Sequence, residues 1–416
     1  MEPSEMHADR RRRLLENLPP ATLAIVPPSS VKQSSADASH RYSPNRNLLY
    51  LTGIAQENTW LLMFKDAEGA PGEVLFIEPF DPEYEKWFGR RLTKEEASAL
   101  TGIGDCRTDE GWRAAVERVV SRLFLKEIFI DYPVSGISRS PGSRQRFALE
   151  MRDAFPHLQH GRLSGLINQL RMVKDDHEIS MLRKAIDITG SALARALPGL
   201  RPGMRECEFE GELVRTFLGM GGEEAFPTIV AGGPRATCLH YDENSQVLEE
   251  GWLLLADFGA SFGYYSADIT RTAPVSGRFT ARQKDLMEIV LTVQKEAIRL
   301  LRPGRTVGAW NTEVAAFYAD LLLEKGEITE KPELEKLYYH RTGHHLGLDT
   351  HDEAVLDMPL APGMVLTVEP GFYSAKDGLG IRIEDDVMVG AEENTVLSAD
   401  VPRTPEAIEE LMRGGV

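Results

Sequence analysis

Apolar residues recur along this chain in two rhythms, and each rhythm predicts a different element. Before residue 165 there are short apolar runs at Thr22–Val26, Leu48–Leu51, Trp60–Phe64, Val74–Ile77 and Ile128–Ile130. Runs of this length bounded by Gly, Pro or polar residues predict strands. Apolar positions three and four apart around Trp112–Phe124 and Arg144–Phe155 predict helices with one buried face. Strands interleaved with helices define an α/β unit over residues 1–165. The polar Ser29–Asn47 stretch, carrying Ser, Arg and Pro, predicts a long loop. A loop of that length is a candidate to contact a neighbouring subunit through Arg41 and Arg46. The link to a second domain, residues 170–416, is expected within Gly161–Leu170, ahead of a helix starting near Asp175-Asp176.

The second domain reads as a duplication. Gly251-Trp252-Leu253-Leu254-Leu255-Ala256-Asp257-Phe258-Gly259 and Gly363-Met364-Val365-Leu366-Thr367-Val368-Glu369-Pro370-Gly371 match in constant register. Both run from Gly through five mostly apolar residues to a carboxylate and then x-Gly, the pattern of a buried strand ending in an acid. Each is followed by a second strand with a second acid, Asp268 within Gly263–Thr272 and Glu384 within Gly380–Val387. Each half therefore offers a hairpin with one acid on each arm. Upstream, Leu200-Arg201-Pro202-Gly203 matches Leu301-Arg302-Pro303-Gly304, and each follows a helical pattern. The helices are marked by Ile179, Leu182, Ile186 and Leu193, and by Leu286, Ile289, Val293 and Ile298; Pro-Gly ends both.

Acids at matched positions in apolar strands call for a reason, because Asp and Glu are rarely buried unless paired or bound to metal. One reading is that they merely solvate strand ends. The other joins Asp257, Asp268, His344, Glu369 and Glu384 into a two-metal hydrolase site. Four carboxylates and one imidazole form a hard, oxygen-rich set suited to Mn²⁺-like ions. Two such ions about 3.5–4 Å apart activate water and clamp both oxygens of a displacement. The nitrogen ligand comes from Tyr339–Asp352, which holds His340, His344, His345 and His351 between the two hairpins. Gly343 and Gly347 disfavour a helix there, and His-Glu-x-x-His is absent. His240 stands just before the first hairpin, where it is read alone as an ordinary core or surface histidine.

Composition narrows the partners. The chain has 416 residues, 42% of them hydrophobic, and a net charge of −17. That balance argues against nucleic acid or anionic membrane as partner. No apolar run approaches the roughly 18 residues that span a bilayer. The Arg10–Arg13 cluster is followed by Leu14-Leu15-Glu16-Asn17, not by a signal-peptide apolar core. Cys106, Cys207 and Cys238 fit neither a disulfide framework nor a zinc motif. They are expected to be buried free thiols of a reducing, cytoplasmic protein.

The quoted segments resemble the aminopeptidase P (Xaa-Pro aminopeptidase) family of pita-bread metallopeptidases. The resemblance is carried by Thr228-Ile229-Val230, His240-Tyr241, Asp257-x-Gly259, Asp268-Ile269-Thr270-Arg271-Thr272, His344-x-Leu346-Gly347-Leu348-Asp349-x-His351-Asp352, Pro362–Gly371 and Ile381–Asp386. Tyr50-Leu51-Thr52-Gly53 and Trp87-Phe88-Gly89-Arg90-Arg91 extend it to the first domain. The fold it implies is α/β (α+β), with a pita-bread catalytic domain behind an N-terminal α/β domain. By this similarity Asp257 holds one ion, Asp268 and Glu384 bridge both, and His344 with Glu369 holds the other. The seven-residue step to His351 selects His344 over His345 as the ligand. The resemblance also implies that His240 and His351 contact substrate and oxyanion, that Glu369 shuttles the proton, and that His340, Tyr373 and Arg382 form a proline pocket. The implied cofactor is a pair of divalent ions, Mn²⁺ first, with Co²⁺ or Zn²⁺ also fitting. The implied substrates are peptides beginning Xaa-Pro, and the implied assembly is a homodimer or homotetramer.

The segments from His351 to Glu369 and from Tyr373 to Gly380 are short for the family and leave the preferred peptide length open. Xaa-Pro dipeptidase (prolidase) is the near rival. A non-enzymatic pita-bread binding protein is the distant one, disfavoured by five intact ligand positions.

Overall fold

The computed structural model describes residues 2–134, 140–355 and 357–414. The chain divides into two compact units, residues up to Arg171 and residues from Met172. The first contains, in order, α1 (Pro3–Glu16), β1 (Thr22–Val26), α2 (Arg46–Thr52), β2 (Trp60–Lys65), β3 (Pro71–Ile77), α3 (Pro82–Phe88), α4 (Lys94–Thr101), β4 (Cys106–Thr108), α5 (Trp112–Arg122), β5 (Glu127–Ile130), α6 (Ser143–Ala154), β6 (Gln159–Arg162) and α7 (Ser164–Met172). Its six strands form one mixed sheet in the order β4-β3-β2-β1-β5-β6. Leu23, Ile25, Phe76, Ile128 and Ile130 on the sheet pack with Trp112 and Val116 of α5 and Phe147 of α6. Trp60 stacks on Trp112 with ring centroids 4.1 Å apart.

Three expectations change here. Leu48–Leu51 is not a strand but the middle of α2. The Asn45 side chain accepts from Asn47 N at its start, and Gly53 closes it in the left-handed region. A four-residue apolar run carries no period that separates strand from helix, and these flanking caps decide for helix. The stretch expected to be a link carries the end of β6 and most of α7, and the division falls after Arg171. Cys207 and Cys238 are exposed and Cys106 is half-buried, so none is a core thiol. The Arg10–Arg13 cluster lies in α1. There Arg11 is buried and donates to Leu51 O (2.9 Å) and Thr101 O (2.9 Å), the carbonyl ends of α2 and α4. Cations at helix C-termini complement the helix dipole.

The second unit contains α8 (Asp176–Ala196), α9 (Glu206–Gly219), β7 (Glu223–Glu224), β8 (Ile229–Gly232), β9 (Leu253–Phe258), β10 (Ala260–Phe262), β11 (Tyr265–Ser266), β12 (Ile269–Pro274), α10 (Ala281–Leu300), α11 (Val307–Lys325), β13 (Val365–Val368), β14 (Gly371–Ser374), β15 (Leu379–Arg382), β16 (Asp385–Met388), β17 (Thr395–Val396) and α12 (Pro405–Met412). The repeat is real in space. Helices α8 and α9 pack together ahead of the antiparallel pair β9–β12, and α10 and α11 pack together ahead of β13–β16. Both Arg-Pro-Gly sequences are turns, with Gly203 and Gly304 each at φ +84°, a conformation other residues adopt at a steric cost. None of the described helices is long and apolar enough to cross a membrane.

Candidate metal centre

Strand register places the first acid. Ile229, Asp257 and Thr270 lie opposite one another on β8, β9 and β12, so their side chains share one face. Asp268 precedes β12 on the same chain end. Glu369 emerges at the end of the fully buried β13, and Glu384 directly precedes β16. Glu384 N donates to Thr270 O (3.1 Å), which brings the two hairpins together. The histidine segment runs beside β13 without forming a helix. At Gly343 a Cβ would lie 1.9 Å from Thr367 O, so only glycine lets the chain pass there. Thr367 N then donates to His344 O (2.9 Å), and His344 N donates to Thr367 Oγ1 (3.1 Å).

These connections gather the predicted residues at one cavity of about 610 Å³. Its wall includes His240, Asp257, Asp268, His340, His344, His351, Glu369, Arg382 and Glu384. Asp268, His344 and Glu384 each present a donor atom within 4.8 Å of the others. His344 Nε2 is 3.4 Å from Asp268 Oδ2 and 3.8 Å from Glu369 Oε1. His344 Nδ1 lies 3.0 Å from the carbonyl of His345, which can only accept, so Nε2 keeps the lone pair that faces the acids. His345 instead is buried, and its Nδ1 has no hydrogen-bond partner among the described residues. Asp257 Oδ1 is likewise buried without a partner among them. Its other oxygen accepts from Arg382 at 2.5 Å.

The electrostatics fit a cation. Burial first, then Asp257, Asp386 and Glu369, hold the Asp268 carboxyl well above its usual range. Burial first, then Asp268, Glu369 and Asp257, do the same to Glu384. Glu369 is pushed up to about 7 by burial, with Asp257 adding and His344, Arg382 and Thr367 opposing. Crowded buried acids that resist ionisation, an acid oxygen without a donor and an aimed imidazole lone pair form a set that a divalent ion completes. The raised acids tie metal binding to pH. They hold protons in the metal-free protein below their raised values, and an ion must displace those protons to bind. Mn²⁺ affinity is therefore expected to rise with pH through about 7, the Glu369 value, with proton release. Calorimetry in buffers of different ionisation heat checks it; pH-independent binding without proton release contradicts it.

A second group stands beside the acids. His340 Nδ1 donates to Arg341 O (2.8 Å), so its Nε2 accepts from the Tyr373 hydroxyl (2.7 Å). The Tyr373 oxygen in turn accepts from Arg382 (3.0 Å). Arg382 also donates to Thr270 Oγ1 (3.0 Å). Burial alone lowers a guanidinium, but Tyr373, Asp257, Glu384 and Glu369 outweigh it and keep Arg382 above its ordinary value. His340 is lowered to about 3, chiefly by burial and then by Arg382. His351 is lowered to about 4 by burial, His344 and His240. Both rings are neutral at pH 7. Tyr373 is not in the cavity wall; it is fully buried behind His340 and Arg382.

Sequence reasoning missed Thr270, whose hydroxyl donates to Glu384 Oε2 (2.6 Å) while accepting from Arg382. Its place two residues after Asp268, on the strand facing Asp257, was the available signal. It also missed the apolar part of the cavity wall, formed by Phe226, Pro227, Ile229 and Leu239. Those residues come from separate loops and β8, and no local period joins them.

Fold and site together define a metallohydrolase built on a duplicated αβ domain. Comparison with known proteins agrees. Residues 180–391 match the model of metallopeptidase family M24, and residues 7–124 match the aminopeptidase P N-terminal domain. The Xaa-Pro aminopeptidase of Haemophilus influenzae is 31% identical over 430 residues, covering 99% of this chain and 97% of the relative. The Escherichia coli Xaa-Pro aminopeptidase is 32% identical over 435 residues, covering 97% and 96%. Zinc-substituted E. coli aminopeptidase P in complex with product superimposes with a TM-score of 0.87 at 30% identity, covering 99% of each chain. The chain belongs to metallopeptidase family M24, with the pita-bread catalytic domain and the N-terminal domain of its aminopeptidase P members.

Proposed function

We propose that this protein is a metal-dependent Xaa-Pro aminopeptidase that releases the first residue from peptides with proline in second position. The observation that carries this reading is the convergence of Asp268, Glu384 and His344 from both halves of the repeat, beside Asp257 and Glu369, at one cavity. Asp257, Asp268, His344, Glu369 and Glu384 would hold two divalent ions, Mn²⁺ by preference. When bound, the ions supply Lewis acidity and a nucleophile from water at neutral pH. Glu369, poised near 7 in the metal-free site, suits transfer of a proton to the proline nitrogen as the carbon–nitrogen bond breaks. His351 and His240 face the cavity and are assigned to hydrogen-bond the substrate carbonyl oxygen as negative charge develops on it.

Proline has no N–H and a fixed ring, so a peptidase for it needs a receptor that asks for no donor. The chain Arg382–Tyr373–His340 supports this role, with His340 and Arg382 in the wall and Tyr373 bracing both from behind. The apolar side formed by Phe226, Ile229 and Leu239 suits the side chain of the first residue. We further assign a reducing, cytoplasmic setting, supported by three free cysteines. A homodimer or homotetramer is supported by Trp87 and Phe88 exposed on α3.

The test is product analysis after metal removal and restoration of Mn²⁺. An Xaa-Pro-Xaa tripeptide is expected to lose its first residue, and an Xaa-Ala-Xaa control to stay intact. Cleavage confined to an Xaa-Pro dipeptide makes the enzyme a prolidase. No cleavage with full metal occupancy overturns the peptidase reading.

A further inference from the structure

Behind the row of acids lies a second layer of buried polar side chains that the reaction leaves unused. Glu384, Asp385 and Asp386 are consecutive, and alternation along a strand sends Asp385 to the side away from Glu384. There Asp385 is fully buried and accepts four hydrogen bonds. Its Oδ1 takes Arg271 (2.8 Å) and Ser398 (2.7 Å), and its Oδ2 takes Gln294 (3.0 Å) and Arg403 (2.7 Å).

Arg271, also buried, spends its whole guanidinium on this layer. It donates to Asp385 and to the carbonyl oxygens of Thr270 (2.9 Å), Glu384 (2.5 Å), Val401 (3.1 Å) and Pro402 (2.7 Å). Those five bonds match the five N–H groups an arginine has; a lysine offers three. The Gln294 amide on α10 reaches Ile383 O (3.1 Å) and Val368 O (3.3 Å), the residues just before Glu384 and Glu369. The strands that carry the acids belong to separate ladders, β8–β9–β12 and β13–β16–β17. These side chains therefore join the two halves alongside the Glu384 N–Thr270 O bond and the bonds of Arg382 to Thr270 and Asp257.

We propose that Arg271, Asp385 and Gln294 are a positioning clamp that sets the spacing of Asp268, Glu369 and Glu384 and so the affinity of the centre for its ions. A buried ion pair is a poor source of stability compared with apolar packing. Here the pair holds the carbonyl of Glu384 and that of Thr270, two residues after Asp268, while Gln294 holds the carbonyls just before Glu384 and Glu369. The inference rests on the metal-centre reading above.

The test uses the full chain stripped of metal, with Mn²⁺ titrated calorimetrically into wild type, Arg271→Lys, Gln294→Met and a control, Asn394→Ala. Asn394 bonds the carbonyls of Ile298 and Leu301, away from the acids. Melting temperatures of the metal-free proteins are recorded alongside. Arg271→Lys and Gln294→Met are expected to weaken Mn²⁺ binding roughly 10–100-fold, the usual cost of losing groups that orient metal ligands. Asn394→Ala is expected to keep wild-type affinity despite a lower melting temperature. Gln294→Met changes no charge and decides the matter alone if Arg271→Lys does not fold. Unchanged affinity in the clamp variants, or an equal loss in Asn394→Ala, overturns the clamp. A wild type that takes up no Mn²⁺ overturns the metal-centre reading itself, a result distinct from either.

Discussion

Replacing Asp268 by Asn and Glu384 by Gln together is expected to abolish turnover and Mn²⁺ uptake while leaving the metal-free protein at least as stable as wild type. The loss comes from removing two acids that would help hold the ions. Metal centres of this type contribute several kcal/mol to the transition state. At about 1.4 kcal/mol per tenfold, kcat/KM should drop by a factor on the order of 10³–10⁵. The stability effect has the opposite sign. Both carboxyls are raised well above their ordinary range by burial and by neighbouring acids. An acid whose folded pKa exceeds its unfolded one binds more protons when native, so its contribution to stability is lost as pH rises through the folded value. The amides carry no such penalty, and the amide replacing the Glu384 carboxylate would still offer an oxygen to the Thr270 hydroxyl. The gap in melting temperature between the metal-free variant and metal-free wild type should therefore widen from about pH 5 to pH 8. Near-normal turnover in the double variant, or a lower melting temperature at pH 8, contradicts the account.

His351→Ala is expected to lower kcat by roughly 10²–10³, the range for deleting one donor to a developing oxyanion, with Mn²⁺ content unchanged. The ring lies against His344, centroids 4.0 Å apart, and opens to the cavity. It is held down to about 4, so at pH 7 it acts through a neutral N–H and not as a cation. A donor of similar reach should then recover part of the rate, and His351→Asn is the variant to make. By the same reasoning, activity between pH 6 and 8 should show no step from His351, because it is already deprotonated throughout. Loss of bound metal in His351→Ala would instead make this histidine a ligand. Full activity would remove it from the reaction altogether.

Much of this arrangement is written in local patterns. Short bounded apolar runs and three-to-four-residue spacing located β1, β2, β3 and β5 and the helices α5, α6, α8 and α10, because burial is decided within a few residues. The duplication was legible for the same reason. Each copy repeats an apolar strand, an acid and Gly, and it placed Asp257, Asp268, Glu369 and Glu384 before any fold was known. The failures share a cause as well. Leu48–Leu51 has too few residues to show a period, and only the Asn45 cap and the Gly53 turn make it a helix. Cys207 and Cys238 sit in the open although cysteine is by habit a buried residue.

What no local pattern carries is the pairing of polar groups far apart in the chain. The chain itself determined two αβ halves, the acids and histidines available, and the hard-metal character of their chemistry. Only the tertiary structure decided how the His344 lone pair is turned to the acids, that Tyr373 stands behind the cavity and not in it, and that Thr270 joins Glu384 to Arg382. It alone decided that Arg271 locks one half of the repeat to the other. A buried donor must find an acceptor wherever the fold supplies one, and the partners Thr270–Glu384, Thr270–Arg382 and Arg271–Asp385 lie more than a hundred residues apart, beyond any sequence period.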